Sequence, residues 1–396
     1  MPVDYQQIRE QIHQKVEQLG DQAQVRQELL DEALNLLRRY AHRQDDLRAL
    51  VEQVSHVTQN LRCAQPTSES LDSAFAGAPA PDGWILLAAD GSQITPDPHR
   101  AVEFGVINTG LFAFKTGAIP RELVKSEILL FNELYPNHVP LGEEMLALQR
   151  DLRERRLLLE QARQEQDAEN LPIFTLTDGP LELFRQPQGD EDLKKAFQAY
   201  LNVLAETRRA GIGVAGYVDR PRSDYVVALL ELAKLREAQS LSAAGKERPL
   251  WGVRDIDLFA HMLPPGARSA IFEIHSLSAA RFSQADEALT LCFFYLNVGT
   301  QEKPYLVRVE LPRFVAQDAQ QVALLQAILL DQCRQMGARP YPYALSRAHE
   351  IAVVRYEEHQ LLENMILMEI HRRGGEMQRE SHKLSSKHTS AGGKRA

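Results

Sequence analysis

The 396 residues carry a net charge of −9, with 44% hydrophobic and 25% charged side chains, so there is core enough for about two or three domains, or for one large domain with a helical extension. That balance excludes a global electrostatic footprint for nucleic acid, and any DNA or RNA has to be held by a local basic groove. No apolar stretch reaches the ~18 residues of a membrane span.

The first residues, Met1-Pro2-Val3-Asp4-Tyr5, lack the apolar run of a secretory signal. Three isolated cysteines, Cys63, Cys292 and Cys333, form no CxxC pair. That usage points to a reducing cytoplasm and away from a zinc knuckle.

Residues 5–62 read as helix. Tyr5, Ile8, Ile12, Val16 and Leu19 recur at helical spacing, as do Leu47, Leu50, Val54, Val57 and Leu61. Gly20-Asp21 separates a first helix from a second, and the polar surface between the stripes suits a coiled coil or a helix laid on a partner. Residues 64–82 are small, polar and Pro-containing, the composition of a linker. A main domain spans 83–373, and the tail 374–396 is basic and disordered in composition.

Within the main domain, an apolar run from Trp84 to Ala89 ends in Asp90-Gly91. Strands at 101–116 and 122–131 follow, giving an antiparallel three-strand meander. A charged helix at 141–167 precedes a second apolar run, Ile173 to Thr177, which ends in Asp178-Gly179. A helix at 190–210 leads to a strand at 211–218, and a helix covers 224–239. Asp255 and Asp257 cap a short helix. Strands at 289–298 and 305–313, a helix at 318–336 and a long helix to about 372 complete the domain. Strands first, then helix–strand alternation, predict an α/β fold.

The two Asp-Gly pairs are the candidate chemistry. Each places a carboxylate where a buried strand emerges, and two such carboxylates with no thiolate beside them suit Mg²⁺ or Mn²⁺ better than zinc. As plain turns they would need neither. A third acid is expected from the helix before Asp178. Glu160 is favoured because it follows Leu157-Leu158-Leu159, with Glu154 and Glu165 as alternatives. His349 follows Tyr341 by eight residues, slightly more than two helical turns, so both reach one side if Tyr341 opens the helix. Arg220 and Arg222, in the turn after Tyr217-Val218, offer guanidinium forks for phosphate, and Arg268 after Pro265-Gly266-Ala267 is a further candidate for DNA binding.

The ordered set Ala89-Asp90-Gly91-Ser92, Thr177-Asp178-Gly179-Pro180-Leu181, Gly216-Tyr217-Val218, Pro265 to Ser269 and Tyr341 to His349 resembles the NurA family of DNA-end-processing nucleases. The resemblance covers roughly 83–365. It implies an RNase H-like mixed sheet flanked by helices, with an N-terminal helical extension and a long C-terminal helix. It also implies a Mn²⁺-dependent deoxyribonuclease, a 5′→3′ single-strand exonuclease and endonuclease, with Mg²⁺ as the other candidate ion. The expected partners are single-stranded DNA and duplex ends, a HerA-type hexameric ATPase in end resection, and a second copy in a homodimer, with no membrane. Carried over by position, the resemblance implies Asp90 and Asp178 as metal ligands, with Glu160 or Glu154 as the third acid, and Tyr341 and His349 completing the site, His349 as metal ligand or proton-transfer group. Where the family pattern expects lysine after the Gly-Tyr-Val strand, this chain has Asp219 and then Arg220. The competing reading is a catalytically weak dimeric adaptor for a DNA-translocating ATPase.

Overall fold

The computed structural model describes residues 4–17, 19–58, 60–168, 170–183 and 191–374, so the predicted basic tail lies, but for residue 374, outside the described residues. Three helices open the chain, α1 (Tyr5–Glu17), α2 (Leu19–Tyr40) and α3 (Gln44–Ser55). Gly20 and Asp21 therefore lie inside the second helix rather than between two. The strands β1 (Cys63–Pro66), β2 (Phe75–Ala76), β3 (Ile85–Ile94), β4 (Gly105–Lys115) and β5 (Arg121–Leu129) follow. Next come α4 (Glu143–Ala168), β6 (Ile173–Asp178), α5 (Glu191–Arg209), β7 (Gly213–Val218), α6 (Tyr225–Glu237) and α7 (Asp255–Ala260). The last third holds β8 (Ala267–Arg268), β9 (Phe272–His275), α8 (Leu277–Ala285), β10 (Leu291–Asn297), β11 (Leu306–Pro312), α9 (Arg313–Ala316), α10 (Ala319–Gln335), α11 (Tyr343–Ala352) and α12 (Tyr356–Arg372).

These elements form two compact units. The first takes the described residues of 1–80, 179–184 and 216–340. Its α2 and α3 bury Leu30, Leu34, Leu37, Leu47, Leu50 and Val54, and pack on α6. β10 and β11 pair antiparallel along their whole lengths, Leu291 opposite Pro312 to Asn297 opposite Leu306. Residues 216–218 of β7 lie antiparallel to β11. Residues 64–82, expected as a linker, carry two strands of this unit. β1 is antiparallel to β9, and β2 to β8. Four residues with a terminal proline are too short to show a period, so composition alone hid β1.

Three buried acids of this unit are closely hydrogen-bonded. Asp255 accepts from the backbone N–H groups of Val226 and Val227 at 3.1 and 2.9 Å, capping α6, and from Tyr295 Oη at 2.7 Å. Glu310 accepts from Arg308 and from the N–H groups of Leu181 and Glu182. Glu182 in turn accepts from Ser276, Ser278, Tyr225 and Arg62. The segment that follows Asp178 is thereby tied down by buried, multiply hydrogen-bonded carboxyl groups.

The second unit takes the described residues of 81–178, 185–215 and 341–396. Its strands run in the order β5-β4-β3-β6-β7. β3, β4 and β5 are the expected antiparallel meander, and β6 is parallel to β3. A meander whose first strand pairs in parallel with the strand after a helical crossover is the RNase H-like arrangement. β3 is apolar on both faces from Ile85 to Ala89, as a strand covered by helices must be. α4 packs on β3 and β4, and so does α11.

The two helical covers lie on opposite sides. A Cβ at Gly110 on β4 would meet Ala348 O and Ala352 N of α11, both at 2.7 Å. A Cβ at Gly91, its diagonal neighbour on β3, would instead meet α4. The expected single C-terminal helix is two. The carbonyl of Ala352 accepts from Ser92 Oγ and from Asn108 Nδ2, so it is spent on the sheet at the point where α11 stops. α12 then packs Leu362 and Ile366 on Ile94, Phe104 and Val106.

Since the atoms facing Gly110 are helix backbone, which cannot swing aside, a methyl there has to push α11 off the sheet. We expect Gly110→Ala to cost about 1–3 kcal/mol in urea unfolding, and to lower the protection of α11 amides in hydrogen exchange.

Candidate active site

β6 leaves β3 behind. The parallel pairing ends at Ala89 opposite Thr177, Asp178 is the last residue of β6, and β3 continues to Ile94 on β4 alone. Asp90-Gly91 is therefore no turn but the middle of a strand, at the step where its parallel neighbour ends. Asp178-Gly179 is a turn, with Gly179 at φ +85°. Asp90 and Asp178 occupy the next matching positions of the two strands, the juxtaposition expected of carboxylates at one sheet edge.

Side chains alternate along the overhang. Asp90 and Ser92 face α11. Asp90 Oδ2 lies 2.7 Å from His349 Nδ1, and Asp90 Oδ1 accepts from the Gly91 N–H at 2.8 Å. His349 is 65% exposed, so an Nδ1–H given to Asp90 leaves Nε2 toward solvent. Gly91 faces α4. A Cβ on it would lie 2.5 Å from Glu154 Oε1 and 2.6 Å from Arg150 Cγ. The missing side chain is the space that the Glu154 carboxylate and the Arg150 stem occupy.

The structure thus brings Glu154, not Glu160, to Asp90. Glu160 is exposed and paired with Lys125 at 2.6 Å, and Glu165 pairs with Arg121. Six residues on a helix are about 240° of rotation, so Glu160 cannot share the face of Glu154. The run Leu157-Leu158-Leu159 is buried all across, which removed the phase information that would have chosen between them. Tyr341 is half-buried and precedes α11 instead of opening it. The helical spacing that would align it with His349 therefore does not apply.

Of the three arginines expected to bind DNA, Arg268 and Arg220 have local partners. Arg268 is buried, forms two bonds to Glu69 at 2.8 and 2.9 Å, and stacks on Phe75 with 3.9 Å to the ring centroid. It braces the fold and has no fork to offer DNA. Arg220 donates to Tyr305 Oη at 3.1 Å, and that phenol donates to Asp219 at 2.7 Å. Arg222 is exposed.

Several site residues carried no sequence signal. Arg150 donates to Asp151 at 2.9 Å and lies 3.4 Å from Glu154. Arg155, buried, donates to the buried Thr177 hydroxyl at 2.5 Å and so holds the residue before Asp178. Arg150 and Glu154 are four apart on α4, a spacing the sequence does show, but charged helices are full of such pairs. Beside the acids, a groove of about 600 Å³ is lined by Thr109, Lys125, Glu127, Arg153, Arg156 and Leu157, among others. It continues the row that runs from Gly91 to Thr109 to Lys125 across three strands. Arg153 is paired with Glu127, and Arg156 is exposed with no ion pair among the described residues.

A family model described as the NurA domain matches residues 85–354, more than half of the chain and all of the elements just described in the second unit up to α11. The chain belongs to the NurA family. Among solved structures it is similar to the NurA nuclease from Sulfolobus solfataricus, with 13% identity, a TM-score of 0.52, and coverage of 92% of this chain and 98% of that one. At that identity the likeness is one of fold. A fainter likeness to the catalytic domain of human Endonuclease V, with 15% identity, a TM-score of 0.32 and coverage of 81% and 94%, carries no argument. No curated protein matches the chain. Among the described residues, no helix of this NurA chain is long and apolar enough to cross a membrane.

Burial, with Asp151 and Asp90 as like-charged neighbours, pushes the Glu154 carboxyl up to about 8. An unfolded glutamate titrates near about 4.3. Between those values folding takes up a proton, so the group's contribution to stability is present in acid and is lost as pH rises towards about 8. We expect Glu154→Gln to melt near the wild-type temperature at about pH 5, and increasingly above it as pH approaches about 8, in thermal melts of metal-free protein.

Proposed function

We propose that this NurA-family chain is a metal-dependent DNA nuclease. The observation that carries the reading is the overhang of β3, which sets Asp90 against His349 on one face and Glu154 on the other, at the position matched by Asp178 on β6. Phosphodiester hydrolysis needs negative charge neutralised and a proton moved, and these are the groups for both.

The donor set fits a hard divalent cation. It consists of carboxylate oxygens and one imidazole, while all three cysteines are buried and unavailable. Burial and then the like charges of Asp151 and Asp90 raise Glu154, and a cation would offset the repulsive part. Among the described residues no three acidic, His or Cys side chains are grouped as a metal cage; waters would have to complete the shell of any ion held here. Asp90, Glu154, Asp178 and His349 would hold it, Glu154 taking the role expected of Glu160. When bound, the ion supplies positive charge to the phosphate oxygens and lowers the pKa of water.

The chain's own residues do the rest. Asp90 holds the His349 ring through Nδ1, which leaves Nε2 either to join the cation or, where it does not, to take a proton from the attacking water and return one to the leaving oxygen. Arg155 holds Thr177, and with it the end of β6. The groove offers a strand's phosphates the exposed Arg156 and the exchangeable ion pairs of Lys125 and Arg153. Family membership supports single-strand 5′→3′ exonuclease and endonuclease action at DNA ends, with a HerA-type hexameric ATPase and a second copy as partners. The exposed apolar stripes Tyr5, Ile8, Ile12 and Val16 on α1, and Leu361, Met365 and Met368 on α12, support such docking.

Digestion of labelled single-stranded DNA with Mn²⁺, with and without the ATPase, tests the reading. Asp90→Ala and His349→Ala should each lose about 10²-fold or more in rate. Equal inactivity of wild type and Asp90→Ala under all conditions would leave the adaptor reading, and equal activity would remove Asp90 from the site. Gly91→Ala separates site from fold. The atoms it displaces belong to flexible side chains, so its melting temperature should stay close to wild type while the rate falls about 10²-fold, because a misplacement of about 1 Å is enough.

A further inference from the structure

Arg150 stands inside the acidic centre. Its stem lies over Gly91 together with Glu154 Oε1. Nη2 donates to Asp151 Oδ1 at 2.9 Å, Nε lies 3.4 Å from Glu154 Oε1, and Asp90 adds to the negative field around the group. Nε is buried and makes no hydrogen bond among the described residues. The guanidinium is therefore close to two carboxylates yet under-used by them. The side chain keeps 30% of its surface exposed, so its head has room to leave. Arg155, five residues further on, is turned to Thr177 and cannot take its place.

From this placement, and resting on the nuclease reading above, we propose that Arg150 has two successive roles. It is the counter-ion of the acidic centre before a divalent cation binds, and it binds a non-bridging phosphate oxygen of the nucleic acid afterwards. A guanidinium and a divalent cation compete for Glu154 Oε1, and the doubly charged ion wins it. The displaced fork is then held by its stem beside Gly91, within the reach of one side chain of the scissile phosphate. Planar guanidinium suits phosphate oxygens better than any ammonium, and it is weakly hydrated and easily moved. Cation binding and phosphate recognition are coupled in this way through one side chain, with no backbone movement.

Two variants and a binding readout test this on the full chain. Manganese binding without DNA is followed from the electron paramagnetic resonance signal of free Mn²⁺, and single-strand cleavage is measured at saturating Mn²⁺. Arg150→Met keeps the stem over Gly91 and removes the competitor, so Mn²⁺ should bind about tenfold tighter once that neighbouring positive charge is gone. Its cleavage rate should fall about 10²-fold. Arg150→Lys keeps the charge without the fork, so it should bind Mn²⁺ within about twofold of wild type and still cleave about tenfold slower or worse. Unchanged or weaker Mn²⁺ binding by Arg150→Met, with wild type binding normally, overturns the inference and makes Arg150 a brace. If Arg150→Met does not fold, wild-type cleavage rates in Arg150→Lys overturn it instead. Absence of Mn²⁺ binding in wild type itself would sink the nuclease reading first, and this one with it.

Discussion

Everything at the acidic centre depends on one strand outrunning its neighbour. β3 is sealed on both faces while β6 runs beside it, and becomes half-open one residue after the parallel pairing ends. A carboxylate placed earlier would be buried without water, at a cost of several kcal/mol. One placed much later would lose the rigid sheet beneath it. Asp90 sits at the first position where both conditions are met. The two residues after it serve the same end from opposite faces: Gly91 yields its volume to α4, and Ser92 ties down the end of the helix that carries His349.

The second unit accepts a local loss of stability to keep this centre. Glu154 is buried among like charges, and Arg150 offsets them only in part. The first unit shows the contrast. Its buried acids, Asp255, Glu182 and Glu310, each accept several hydrogen bonds. Acids satisfied in this way hold structure, whereas acids left short of partners are available for a ligand.

Much of this was legible in the sequence, for physical reasons that differ from element to element. The apolar run Ile85–Ala89 announces a strand covered on both faces, and the order of strands and helices fixes the mixed sheet. Asp90 and His349 were legible as candidates, and the structure joins them. The choice of Glu154 was not. A helix buried by sheet on one side and by α5 on another has no clean polar face, so three consecutive leucines pointed to Glu160. The helical alignment expected of Tyr341 with His349 does not hold, for the opposite reason. Two prolines around the tyrosine looked like a helix start, and the helix begins after them. Arg268 reads as a candidate for DNA binding because nothing in its neighbourhood names Glu69, a partner 199 residues away. The break between α11 and α12 is equally non-local, since it is Asn108 and Ser92 that claim the Ala352 carbonyl.

The alternation of Asp90, Gly91 and Ser92 has a consequence for how such a chain can vary in length. The hairpin tip beyond Lys115 and the stretch between Ile94 and Gly105 are outside the ladder and can lengthen freely. A single residue gained or lost between Ile85 and Ser92 cannot be absorbed. It would exchange the two faces of everything downstream, aiming the carboxylate at α4 and the hydroxyl away from Ala352. Length is therefore a coded quantity in these eight positions, as tightly constrained as the identity of any acid they carry.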